Sequence, residues 1–211
     1  MDNIIEPDAT FDFSKISLVN PISVQGGAYF TKILFNDAPL YIQTPKTLTR
    51  QGFIKNGKKY SCDLMLDNEN DSEQLISWIE NLENRCQQLI YEKSDSWFET
   101  TLDKNDIETA FNSSLKIYKS GKYYLLRTHI KTNSLTQQPI LKIFNENETV
   151  QTIDDVKPDT RIVSIIEIQG IRFTTRNFQI EYELKQVMII KTDLFFENCL
   201  IKKKGSGSGS G

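Results

Sequence analysis

Two stretches of this chain combine cations and flat rings with no carboxylate. Between Asp37 and Asp63 the charged residues are Lys46, Arg50, Lys55, Lys58 and Lys59. Between Glu108 and Glu146 they are Lys116, Lys119, Lys122, Arg127, Lys131 and Lys142. These 62 residues carry +11 and the other 149 carry −14, in a chain of formal net charge −3. Tyr41, Phe53, Tyr60, Tyr118, Tyr123 and Tyr124 are interleaved with the cations. Ammonium and guanidinium groups attract phosphates and aromatic faces stack on bases, so the combination suits single-stranded nucleic acid. The alternative is a sheet-rich protein whose rings are core and whose lysines merely confer solubility.

The candidate phosphate contacts are Lys46, Arg50, Lys55, Lys58, Lys59, Lys119, Lys122, Arg127 and Lys131. Arg172 and Arg176 join them from a third acid-free patch, which also holds Phe173 and Phe178. The candidate stacking rings are Phe53, Tyr60, Tyr123 and Tyr124. In a strand over Lys122–Lys131, Tyr123, Leu125, Arg127 and His129 share one face, so a ring-and-cation platform can form there. Equally, Tyr123 and Leu125 can be core with Arg127 in an edge ion pair.

A weaker pattern suggests metal-dependent phosphodiester cleavage. Pro158-Asp159 precedes a strand, and Glu183-Leu184-Lys185 lies in a later one. Carboxylates that hold Mg²⁺ and a lysine that orients water are the parts such chemistry needs. Against it stand the length of the intervening strand and the ordinary alternative of a solvated Glu–Lys pair. The expectation is therefore a protein that is not an enzyme, with no cofactor and no metal. His129 is the sole histidine, which excludes a histidine-based triad and multi-histidine metal sites. Gln25-Gly26-Gly27 is too short for a phosphate loop.

Bulk composition bounds the rest. The 211 residues are 38% hydrophobic and 25% charged, enough for a real core in one large domain or two small ones. No apolar run approaches the roughly 18 residues of a membrane span, and Met1–Pro7 lacks a secretory signal pattern. Cys62, Cys86 and Cys199 are an odd number with no Cys-x-x-Cys, which reads as reduced thiols in an intracellular setting. Gly205–Gly211 alternates Gly and Ser and reads as an engineered linker.

The elements that must position these residues are mostly strands. Ile16–Asn36 reads as strand, turn at Gly26-Gly27, strand; Leu40–Thr44 is a short strand between prolines. Asn56-Gly57 joins Thr47–Lys55 to Lys58–Leu66 as a hairpin. Leu75, Ile79, Leu82, Cys86 and Leu89 form the apolar stripe of a helix over about 72–92, with Asp71 and Gln74 as its capping box. A Trp97–Phe98 anchor follows, then a short helix Lys104–Phe111 capped by Asp103. Leu115–Lys119 turns at Ser120-Gly121 into Lys122–Lys131, and Pro139–Phe144 is a further strand. Thr160–Gln169 breaks at Gly170, a candidate bulge, before the long strand Phe178–Lys191.

Gln25-Gly26-Gly27-Ala28-Tyr29-Phe30, Pro39-Leu40-Tyr41-Ile42-Gln43-Thr44-Pro45-Lys46 and Tyr118-Lys119-Ser120-Gly121-Lys122-Tyr123-Tyr124-Leu125 resemble an uncharacterised family of large DNA viruses of algae and protists. The resemblance runs over about residues 17–201. In the second half, Lys122–Lys131 is followed by Leu141–Asn147, the acidic step Asp154-Asp155-Val156, the strand Arg161–Gln169 and Gly170-Ile171-Arg172-Phe173. That order resembles phage-type single-stranded-DNA-binding proteins with an oligonucleotide-binding (OB) barrel. It departs from them in ending Lys202-Lys203-Lys204 where they carry an acidic tail.

The expected fold is therefore α+β and β-rich, an antiparallel sheet or OB-like barrel with one long amphipathic helix and a short second one. The expected organisation is a loose arm over 1–14, a single β-rich domain over 15–201 with a helical insertion at 71–111, and a basic tail and linker over 202–211. The expected function is non-catalytic, sequence-tolerant binding of single-stranded nucleic acid, DNA before RNA, in viral replication or recombination. The expected partners are that nucleic acid, viral replication proteins and further copies of the chain, with no membrane. The expected setting is the host cytoplasm or nucleus. The runner-up is a viral structural or assembly protein whose basic strands dock an acidic partner; the third reading is the Mg²⁺ nuclease.

Overall fold

The computed structural model describes residues 4–67, 72–174 and 176–191. The Asp71 cap, Cys199 and the Lys202–Lys204 tail lie outside the described residues. Thirteen strands form one mixed sheet: β1 Ile4–Ile5, β2 Ile16–Leu18, β3 Ile22–Val24, β4 Ala28–Phe35, β5 Ala38–Gln43, β6 Thr47–Asn56, β7 Lys59–Asp67, β8 Leu115–Tyr118, β9 Tyr123–Ile130, β10 Lys142–Asn145, β11 Val150–Gln151, β12 Arg161–Thr174 and β13 Asn177–Ile189. Helices α1 Glu73–Glu92, α2 Ser94–Trp97 and α3 Lys104–Ala110 lie between β7 and β8.

Five of the strands close on themselves. β6 pairs with β7, β7 with β9, β9 with β13, β13 with β12, and β12 returns to β6 through Arg161↔Leu48 and Ile162↔Thr47. Pairing is antiparallel except between β9 and β13, and between β13 and β10 and β5 and β1 outside the ring. A closed five-stranded ring in this order is an OB-like Greek-key barrel. Period-two alternation fills it: Cys62, Leu64 and Leu66 from β7, Leu126 and Ile130 from β9, Ile162, Ile166 and Ile168 from β12, and Tyr182, Leu184 and Val187 from β13 are all buried. Burying each aliphatic chain contributes about 1.5–3 kcal/mol, which also fixes the register, since a one-residue slip would turn the set outward.

β12 runs unbroken through Gly170, where the sequence suggested an end. The strand register shifts between Ile168 and Gly170, so the glycine is a bulge within a continuous strand. A Cβ at Gly170 would stand 2.1 Å from the Thr31 carbonyl oxygen on β4, so β4 reaches its place beside β12 only because this side chain is absent.

α1 follows its apolar stripe: Leu75, Ile79, Leu82, Cys86, Leu89 and Ile90 are buried, and the helix packs on β2, β7 and α3. Ser72 occupies its N-cap without a side-chain cap bond. α3 starts as expected, with Asp103 accepting from the Asp106 N–H and Asp106 accepting from the Asp103 N–H. Residues 4–14 read as a loose arm, but Ile4–Ile5 pairs with β5, and the rings of Phe11 and Phe13 lie 5.1 and 5.6 Å from that of Trp78. Trp97 stacks on Phe173, rings 6.0 Å apart, which anchors the end of α2 on the β12–β13 hairpin.

Candidate nucleic-acid interface

The outer face of β6, β7, β8 and β9 gathers both acid-free stretches, because β7 pairs with β9 along its whole length. With Cys62, Leu64 and Leu66 turned inward, β7 directs Ser61, Asp63, Met65 and Asp67 to the other face, where Asp63 and Met65 are themselves buried. Their direct opposites are His129, Arg127, Leu125 and Tyr123. From Lys59 to Asp67 this face runs roughly 27 Å.

Asp63 sits at its centre, only 3% exposed, and Arg127 clamps it with two hydrogen bonds, Nε to Oδ1 at 2.7 Å and Nη2 to Oδ2 at 2.9 Å. The Arg127 pKa is raised by that hydrogen bond. The Arg50 Nη1 lies 3.7 Å from the same carboxylate. Two guanidinium groups thus share one carboxylate, leaving one positive charge over. Arg50 also stands 5.0 Å over the Tyr118 ring, and Tyr118 is paired side by side with Tyr123. Lys119 lies 5.5 and 5.6 Å from these two rings, and Lys122 lies 5.3 Å from Tyr123. Lys119, Ser120 and Gly121 all have positive φ, a tight left-handed turn that folds the lysines back over the rings.

At one end of the face a shallow groove of about 290 Å³ is lined by Lys46, Leu48, Met65, Asp67, Tyr123 and Arg161. At the other end stand Lys59, His129 and Arg172, the last bonded to Glu181 at 2.6 Å. Burial against the neighbouring strands pushes the His129 pKa down; Lys59, Arg127 and Arg172 repel its proton, and Glu181 alone opposes them.

Three of the four expected stacking rings are not on this face. Tyr60 is 7% exposed and in the core, Tyr124 faces the barrel interior, and Phe53 packs on the core opposite Cys62. An irregularity in β6 between Thr49 and Phe53 sets that last orientation. Lys55 and Lys58 lie at or beside the hairpin tip, where Lys55 covers the Tyr60 ring at 5.4 Å. Lys131 follows the end of β9, and Arg176 lies in the β12–β13 turn. Sequence reading omitted Tyr118 and Arg161 from the site. Tyr118 was visible as an interleaved ring, whereas Arg161 enters only through its pairing with Leu48.

The metal constellation is not assembled. Lys185 bridges Glu183 at 2.6 Å and Glu167 at 2.7 Å, and Gln169 donates to the second oxygen of Glu183. Burial works to lower the Lys185 pKa, but the two hydrogen bonds outweigh it and raise it. Asp159 lies before β12 begins, whereas Glu183 faces Glu167 midway along that strand. Among the described residues no three of His, Cys, Asp or Glu gather as metal ligands, and no helix is long and apolar enough to cross a membrane.

A family of unknown function, DUF5871, matches residues 58–197. The chain belongs to this family. Its match starts at the β6–β7 hairpin and covers four of the five barrel strands. No curated protein matches the chain. Among solved structures, the chain is similar to the single-stranded DNA-binding protein from bacteriophage Enc34. The identity is 12% and the TM-score 0.49, covering 92% of this chain and 96% of that one. The same phage protein in complex with ssDNA gives 9% identity and a TM-score of 0.44, covering 85% of this chain and 97% of that one.

Proposed function

We propose that this protein binds single-stranded DNA without catalysis and with little sequence preference, along the outer face of β6, β7, β8 and β9. The observation that carries the reading is the convergence of cations from two distant segments, Lys46, Arg50, Lys59, Lys119, Lys122 and Arg127, onto one side of a closed barrel. OB barrels commonly bind oligonucleotides across their second and third strands, which here are β7 and β9. Phosphates follow the lysines and arginines, while Tyr118 and Tyr123 offer the rings. The roles of Lys55, Lys58, Lys131, Arg172 and Arg176 are peripheral contacts at the two ends. The setting is replication or recombination of a large DNA virus, inside the host cell, as the sequence resemblance implies.

The test is fluorescence anisotropy with a labelled single-stranded oligonucleotide at low salt, competed by duplex DNA and by RNA of the same sequence. The expected result is tight binding of the single strand, weakly competed by duplex. A stable oligomer with no oligonucleotide affinity would reject the reading and favour assembly.

A further inference from the structure

Around the end of the β12–β13 hairpin, beside Arg172, lies an aromatic cleft of about 430 Å³. Its walls are Tyr29, Trp97, Phe98 and Phe173, with Thr174 and Gly27 at the mouth. The ring planes share a direction: Trp97 lies within 7° of Phe173 and Tyr29 within 23°, while Phe98 meets Phe173 edge-on. Phe173 is buried, but Tyr29 is 48% exposed and Trp97 keeps part of its surface in solvent. Both outer rings already stack on the buried Phe173, so a flat ligand meets the exposed surface of Tyr29 and Trp97 in that shared orientation.

We infer that this cleft is a base-stacking subsite for single-stranded DNA leaving the groove around the hairpin tip. The inference rests on the proposed function. Three observations favour a nucleobase. The groove itself holds few ring faces, since Tyr60, Phe53 and Tyr124 turn inward and only Tyr118 and Tyr123, each contacted by a cation, remain. The cleft adjoins the groove: Arg172 and Phe173 are neighbours on opposite faces of β12, and Thr174, which lines the cleft, is two positions beyond Arg172, roughly 7 Å along the strand. Cations flank the route, Arg176 in the turn and Lys93 at 5.7 Å from the Trp97 ring, while Glu99 adds one opposite charge to the lining. A strand filling the groove and then the cleft is longer than one filling the groove alone, so occupancy depends on oligonucleotide length.

The experiment uses oligothymidylates of about five and about fifteen nucleotides, within the range of OB-fold site sizes. Anisotropy reads binding and tryptophan emission reads the cleft, because Trp78 is buried and Trp97 is not. The longer strand quenches emission and the shorter one does not; Trp97→Phe removes the quench while binding persists. Tyr29→Ser weakens the longer strand by roughly 5- to 150-fold and leaves its salt dependence unchanged. Thr174→Glu, an exposed change that spares the fold, weakens it in the same selective way. Unaltered Trp97 emission with undiminished binding of the longer strand in Tyr29→Ser and Thr174→Glu would overturn the inference and leave the cleft to an apolar protein segment. Absence of anisotropy change with either oligonucleotide would overturn the groove and the cleft together.

Discussion

Salt dependence offers the most quantitative test of the proposed groove. Lys46, Lys59, Lys119, Lys122 and Arg161 have no carboxylate partner among the described residues, and Arg50 and Arg127 together exceed Asp63 by one charge. Arg172 is cancelled by Glu181, and Lys131 lies beyond the end of β9. About six phosphates are therefore neutralised, and at about 0.7 counterions released per contact with a single strand the slope of log K against log salt is about −4. Raising salt from 50 to 200 mM then weakens binding by ~250-fold. Lys46→Ala, Lys122→Ala and Arg161→Ala, combined, remove three contacts around the shallow groove and leave the Asp63 clamp and the core untouched. The slope of the triple variant is about −2, and the same salt step weakens it by only ~15-fold. Anisotropy titrations across a sodium chloride series measure both slopes, with thermal unfolding as the control for stability. A triple variant with the parent slope would refute the placement of the phosphates, and a parent protein indifferent to salt would refute the electrostatic groove itself.

Three further outcomes test the architecture. Gly52 has φ +69°, and a Cβ there would stand 2.1 Å from the Val156 carbonyl oxygen. Gly52→Ala should thus cost at least ~2 kcal/mol in urea unfolding, and an unchanged midpoint would contradict the backbone of β6. His129 has a pKa below its unfolded value, so the stability it contributes is complete above pH ~6.5 and is lost as pH falls through the folded value. His129→Gln should flatten the decline between about pH 7 and 5, and superimposable profiles would rule that contribution out. Burial pushes the Cys62 thiol up to about 12 and the Cys86 thiol higher still. Neither should react with a thiol reagent in the native protein, and mass-spectrometric detection of label on either would place it at the surface instead.

The elements were legible where local rules decide them. Asn56-Gly57 and Ser120-Gly121 both turn strands as read, and the Asp103 cap and the stripe from Leu75 to Leu89 mark real helices. Gly170 was read both as a break and as a candidate bulge, and the bulge is what the structure shows, because a glycine in a strand looks the same locally whether the chain stops or bulges. The register shift is in the pairing with β13, and the close approach of β4 is what requires glycine there. The cationic contacts were mostly legible, since long charged chains stay at the surface whatever the register. The rings were not, since a tyrosine on a strand serves core or surface equally well. Tyr123 and Tyr124 differ only in which side of β9 meets the barrel.

Composition and spacing alone determined a β-rich chain with one long helix, segregated charge and no histidine cluster, because these depend on residue type and on neighbours within a few positions. The pairing of β6, β7 and β9 and the closure of β12 onto β6 decided the rest: which rings face inward, that Arg50 and Arg127 meet at Asp63, and that Arg161 joins Lys46. Those contacts join residues from 13 to more than 100 positions apart, and their geometry depends on strand register and barrel curvature, which no local pattern encodes.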